Sequence, residues 1–150
     1  MEELTVKDKF DTTQYIVIQM GNEKYGINIA YIDNIVRMQR ITRVPKAADY
    51  YRGVINLRGE VIPVMDLRIK MGLEEVPETK NTRMIIIKLD NGKIGVIVDE
   101  VREVVNLSDS EVEGVTYRNN GDKKATFISG VGKVGADLIS LLDINSLVAE

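Results

Sequence analysis

An all-β fold built from two copies of one small unit is what this sequence predicts, on two observations. The first is composition. Ile and Val together supply 36 residues against 10 Leu, and β-branched side chains pack well on a pleated surface while losing rotamer freedom in helices. The second is an internal repeat. Tyr15 to Val36 matches Met84 to Val105 at a constant offset of 69. Ile16 falls on Ile85, Ile18 on Ile87, Met20 on Leu89, Tyr25 on Ile94, Gly26 on Gly95, Ile32 on Val101 and Ile35 on Val104. Gly53 to Leu67 then matches Gly130 to Ile144 at an offset of 77, with Val54 on Val131 and Asp66 on Asp143. The eight extra residues of the second copy fit in the polar stretch Asn106 to Thr126, which reads as a loop. Two matches in the same order point to tandem duplication.

Taken in chain order, Met1 to Thr13 is polar and acidic, reads as a flexible tail, and lacks the apolar stretch of a signal peptide. Each copy opens with strand, turn, strand, and the turns GNEK and DNGK carry Asn22 and Lys24, matched by Asn91 and Lys93. A second strand pair follows, around the tight turns RGE (Arg58–Glu60) and GAD (Gly135–Asp137). Gly59 frees the backbone for a positive φ, and Arg58 projects from the turn. Asp66 and Asp143 precede short helical patterns and read as N-caps rather than as a catalytic or metal-binding carboxylate pair. Gly72 supplies a helix stop. Glu74 to Thr82 is the seam between copies. Each copy thus yields four or five short strands with closely spaced turns, which suggests one small barrel per copy. The division expected is 14–80 and 81–150, packed tightly because units of this size bury little core alone, with exchange of strands as one route.

The composition also excludes. With no His and no Cys, the usual Ser-His-acid and Cys-His nucleophile systems and all Cys/His zinc sites are gone. A net charge of −3 is wrong for a general nucleic-acid binder. No apolar run reaches the roughly 20 residues of a membrane span, and the lack of Cys gives no sign of export, so the expected compartment is the cytoplasm. Asp99 to Glu113 carries a net charge of −5 and reads as a solvated acidic surface; Arg37 to Lys70 carries +5 and reads as a basic face. Opposed charges of this kind suit steering of a protein partner.

The run Ile41-Thr42-Arg43-Val44-Pro45-Lys46, followed by Tyr50-Tyr51-Arg52-Gly53-Val54-Ile55-Asn56-Leu57-Arg58-Gly59-Glu60-Val61-Ile62-Pro63-Val64-Met65-Asp66-Leu67-Arg68, resembles the signature of the CheW family of chemotaxis coupling proteins. The resemblance continues through Gly95–Val101 and Leu141–Ile144. It implies two SH3-like five-stranded β-barrels around a shared hydrophobic core, with short helices, no catalysis and no cofactor or metal. It implies two partners: the cytoplasmic signalling tip of transmembrane chemoreceptors and the regulatory domain of the histidine kinase CheA. By position, the receptor-binding residues implied are Ile32, Asn34, Gly53, Arg58 and Val104, on a groove between the barrels, with Asn56, Leu57 and Gly59 supporting the turn. Asn34 departs from the family pattern, which often has Glu there, and an amide can donate where a carboxylate cannot.

Three alternatives stay open at this stage. The same module occurs in CheA and CheV proteins, which carry further segments; a chain ending at Glu150 favours a stand-alone coupler. A carboxylate enzyme would need Asp66, Asp99 and Asp143 to converge on an ion. A nucleic-acid-binding small barrel would need salt-dependent affinity for RNA or DNA.

Overall fold

A computed structural model describes residues 12–114 and 126–149. The apolar run at Tyr15–Met20 is continuous because both faces of its strand are covered. Strand β1 (Thr12–Met20) sends Ile16, Ile18 and Met20 into one core and Val17 into another. It begins two residues inside the expected tail, with Thr12 and Thr13 paired to Ser108 and Leu107. After it come β2 (Glu23–Asn28), β3 (Ile32–Arg37), β4 (Tyr51–Leu57), β5 (Glu60–Asp66), α1 (Leu67–Lys70), β6 (Arg83–Leu89), β7 (Gly92–Val98), β8 (Glu100–Ser108), β9 (Val112–Gly114), β10 (Ile128–Val134), β11 (Asp137–Leu142) and α2 (Ile144–Val148).

The strands form two sheets, ordered β8-β1-β2-β11-β10-β9 and β3-β6-β7-β5-β4. Each sheet draws on both copies. The hairpin β1–β2 of the first copy sits among second-copy strands, and the hairpin β6–β7 of the second copy sits among first-copy strands. The boundary at residues 80/81 therefore separates the copies in sequence without separating the sheets. Each donated hairpin is held by a short parallel pairing, Gly26 beside Leu141 in one sheet and Gly95 beside Val64 in the other. These are equivalent positions under the two offsets, so the duplication extends to strand register. A Cβ on Gly26 would lie 2.9 Å from Leu141 Cδ2, which is why the strand omits one there.

The resemblance implied five strands per barrel, and one sheet has six. The difference is small. β9 pairs Glu113 with Val131, and the first copy has at the equivalent place a lone bridge between Thr42 and Val54. The stretch Asn106 to Thr126, read as a loop, is strand through Ser108, a 3-10 turn at Asp109–Glu111 and then β9; residues 115–125 of it lie outside the described residues.

Three apolar cores result. One lies within the five-stranded sheet (Ile55, Ile62, Val64, Met84, Ile86, Ile97) and one within the six-stranded sheet (Val17, Leu107, Ile139, Leu141). The third is shared between the sheets and takes Ile16, Ile18 and Ile27 from one, Ile85, Ile87 and Val96 from the other, and Leu67, Ile144 and Leu147 from the helices. Period-2 alternation decides the allocation: Ile85 and Ile87 enter the shared core, Met84 and Ile86 the barrel interior.

Both expected caps are present. Asp66 Oδ1 accepts from the backbone N–H of Arg68 at 3.0 Å and of Ile69 at 3.4 Å, and Asp143 accepts from the N–H of Ser146 at 3.3 Å. Gly72 (φ 80°) ends α1, with its N–H bonded to Ile69 O and that of Leu73 to Arg68 O.

Candidate functional site

Edge strands β3 and β8 flank the shared core from opposite sheets. Each carries a β-bulge at the equivalent place, between Ile32 and Asn34 in β3 and opposite Val17/Ile18 in β8. The extra residue puts positions three apart on one face. Ile32 stands across from Ile87 and Ile35 across from Ile85; Val101 stands across from Ile18 and Val104 from Ile16. All four partners lie in the shared core, and cross-strand neighbours share a face. Ile32 and Val101 pack on that core, while Ile35 and Val104 extend it to the surface, 36% and 49% exposed. The result is an apolar rim on each sheet. Ile35 was not among the site residues expected from the sequence, although the repeat matches it to Val104, which was.

Arg58 sits at the tip of the β4–β5 hairpin. Arg58 (φ 54°) and Gly59 (φ 88°) are both at positive φ, the two-residue turn whose twist suits the flanking strands. Asn56 Oδ1 accepts from the N–H of Gly59 at 3.1 Å. Leu57 pairs with Glu60 and packs against the barrel interior. Arg58 itself is exposed. The tip is tied to the rim through residues that the motif did not flag. Lys93 Nζ lies 2.9 Å from Glu60 Oε1 and 3.6 Å from Asp33 Oδ2, and Asp33 is the bulge residue beside Ile32. The hydrogen bond to Glu60, reinforced by the charge of Asp33, raises the Lys93 pKa above the ordinary lysine value. The repeat holds a matching pair, Lys24 with Asp137 at 2.8 Å.

Gly53 and Asn34 are placed differently from Ile32 and Arg58. Gly53 is buried at φ 142°, and a Cβ there would lie 2.1 Å from Thr42 O; its part is to let the segment at Thr42–Arg43 cross close over β4. Asn34 stands across from Ile86, on the barrel-interior face. Its Oδ1 is buried with no hydrogen-bond partner among the described residues. Asn34→Val should therefore raise stability by about 1 kcal/mol, since an apolar group leaves no acceptor unpaired; the midpoint of urea denaturation checks this, and an unchanged or lower midpoint would contradict it.

The charged segments are less uniform than their sums suggested. Asp99 is not part of a solvated acidic surface. Arg68 grips it with both arms, Nε to Oδ1 at 2.8 Å and Nη2 to Oδ2 at 2.6 Å, and the N–H of Gly21 adds a bond at 2.9 Å. Arg68 Nη1 also donates to Glu74 O at 2.8 Å, which anchors the seam. Burial pushes the Asp99 carboxyl up, but these hydrogen bonds and the Arg68 charge outweigh it, leaving its pKa below the ordinary value. For Asp66, burial wins over its backbone bonds and Arg52, and the pKa is raised. Nor is Arg37 to Lys70 one basic face. Arg52 pairs with Asp66 and Glu75, and Lys70 is buried, its Nζ 4.0 Å from the Tyr50 ring centre. Asp66, Asp99 and Asp143 are thus committed to separate partners, and no group of three or more potential metal-ligating side chains occurs among the described residues. No helix among those residues is long and apolar enough to cross a membrane.

The chain is thus a two-sheet β fold that presents an apolar rim on each sheet and a cationic turn tied to one of them. The chain matches the family model described as CheW-like domain over residues 14–150, and it belongs to that family. It is 36% identical to the chemotaxis protein CheW of Bacillus subtilis over 135 residues, covering 89% of this chain and 85% of that protein. It is 29% identical to the CheW of Klebsiella aerogenes over 142 residues, covering 91% and 82%. Among solved structures, the scaffolding protein TtCheW from Thermoanaerobacter tengcongensis superposes with a TM-score of 0.84 at 29% identity, covering 92% of this chain and 93% of that one.

Proposed function

We infer that this chain is a chemotaxis adaptor that couples transmembrane chemoreceptors to the histidine kinase CheA, so that receptor state controls kinase autophosphorylation. Family membership across residues 14–150 is the observation that carries this reading. The chain itself catalyses nothing and needs no cofactor; it works in the cytoplasm and is recruited to membrane-associated receptor arrays. The receptor's helical tip lays an apolar face against the two rims, at Ile32 on one sheet and Val104 on the other, and Arg58 sets its orientation. Asn34 and Gly53 contribute indirectly, through the barrel interior and the crossing at Thr42. The regulatory domain of CheA binds elsewhere on the surface, and bridging raises the effective concentration of kinase at the receptor.

The conformation of Arg58 supports its assignment. A non-glycine residue in the left-handed region costs about 1 kcal/mol, and Asn or Gly would suit that turn better. Arginine there is kept at the expense of stability, as strained residues at functional sites often are. Two variants test the assignment in a reconstituted array of receptor, CheA and this chain. Arg58→Glu should reduce receptor binding and receptor control of CheA at least about tenfold, the scale of one charge-assisted contact reversed. Arg58→Asn should do the same while leaving the fold as stable or more so. Unchanged receptor affinity in both variants would remove Arg58 from the interface.

A further inference from the structure

The two copies treat one junction differently. In the first, the β1–β2 turn meets α1, and Arg68 fills the space between them: the position a Cβ on Gly21 would occupy lies 3.5 Å from Arg68 Nη2. Under the repeat offsets, Arg68 corresponds to Asn145, Asp99 to Ala30, Gly21 to Asp90 and Met71 to Val148. Where the β6–β7 turn meets α2, no arginine among the described residues reaches in, and a cleft of about 530 Å³ remains, lined by Tyr31, Lys88, Leu89, Asp90, Asn91, Asn145 and Val148. Three of its lining residues, Asp90, Asn145 and Val148, are the counterparts of Gly21, Arg68 and Met71 at the first junction.

We propose that this cleft is a docking pocket for an arginine side chain of a partner protein. The chain carries its own template for the arrangement in the Arg68–Asp99 pair. In the cleft the acid has changed walls: Asp90 stands where Gly21 does and has no ion-pair partner among the described residues. The Asn145 amide offers a carbonyl acceptor, Leu89 and Val148 offer apolar surface for the methylene stem, and Tyr31 offers a ring for the guanidinium to stack on. Lys88 is solvent-exposed at the cleft, and its charge disfavours a compact ammonium more than a planar, weakly hydrated guanidinium that can bind in two places at once. Tyr31 immediately precedes Ile32, so the cleft adjoins the end of the apolar rim. The proposal goes beyond the adaptor reading and does not depend on it.

The test is an NMR titration of the full-length 15N-labelled chain with the amides of N-acetyl-arginine, N-acetyl-lysine and N-acetyl-citrulline. The expected result is saturable shifts at Tyr31, Asp90 and Asn145 with the arginine probe, weaker ones with lysine and none with citrulline. Asp90→Asn should weaken arginine binding about tenfold. The double variant Ala30→Asp with Asn145→Arg rebuilds the Arg68–Asp99 pair in the second copy and should abolish the response; if it fails to fold, Asp90→Asn decides alone. No saturable shift at these residues, equal shifts with citrulline, or a full response in Asp90→Asn would each overturn the pocket. An equal response to lysine would overturn the arginine assignment.

Discussion

Gly53→Ala is expected to cost about 3 kcal/mol or more and to lower the melting temperature by roughly 6–12 °C in a chain of this size. Two effects add. At φ 142° alanine is in a region that L side chains rarely adopt, and its Cβ would overlap Thr42 O at 2.1 Å. The obstruction is backbone, so it is not relieved by turning a side chain. Relief requires the Thr42–Arg43 segment to move, which breaks the paired bonds between Thr42 and Val54, both 2.8 Å. Circular-dichroism melts of the variant and wild type measure the effect. A melting temperature within 2–3 °C of wild type, roughly one kcal/mol at this size, would show that the crossing is not the constraint. This prediction also governs how a loss of receptor binding in any Gly53 variant is interpreted: it reports the crossing over β4 before it reports a contact.

The second large effect is expected at the Arg68–Asp99 pair. The two side chains are 14% and 25% exposed. Asp99→Asn leaves the guanidinium mostly buried beside a neutral group and should cost about 2–3 kcal/mol, just under the range for fully buried pairs. The cost depends on pH in a definite direction. Because the folded pKa of Asp99 is depressed, its contribution is fully present above the ordinary carboxylate value of about 4 and is lost as pH falls through the folded value. Asp66 works in the opposite sense. Its raised pKa makes the folded state the better proton binder, so its penalty is largest above that pKa and fades on acidification. The stability difference between wild type and Asp99→Asn should therefore be constant near neutrality and shrink below about pH 4. Denaturant titrations at a series of pH values test this; a difference that persists unchanged well below pH 3 would mean that the pair is not what Asp99 contributes.

Strands and copies were readable in the sequence because they depend on local pattern. Ile16, Ile18 and Met20 against Ile85, Ile87 and Leu89 gave both the period and the repeat, and Asp66 and Asp143 gave the helix starts. Which sheet each hairpin joins was not readable, since backbone hydrogen bonding at a strand edge is the same whichever copy supplies it. The hint lay in Gly26, small where Leu141 and Ile139 of the other copy approach closely. Asp99 was misread for a related reason. Net charge over a segment counts Asp99 with Glu100 and Glu103, but its partner Arg68 is 31 residues away, and no sum along the chain brings the two together. At the candidate site, the motif led to Arg58 and its turn, while Lys93 and Asp33, which tie that turn to Ile32, belong to other strands and were visible only as ordinary turn and edge residues.

The reciprocal exchange of hairpins bears on what a single copy could be. A peptide holding one copy has a hairpin whose place is in another unit and a remnant of three strands (first copy) or four (second copy) missing that same piece, so it can complete itself only with a second molecule. Its folding would then be second order, failing on dilution. Joining two copies through the Glu74–Thr82 seam makes the encounter intramolecular, with each half meeting the other at an effective concentration in the millimolar range. It also ends the obligation to be symmetric. Once the halves were one polypeptide, one junction could close around Arg68 while the other kept its cleft, a distinction that identical partners cannot make.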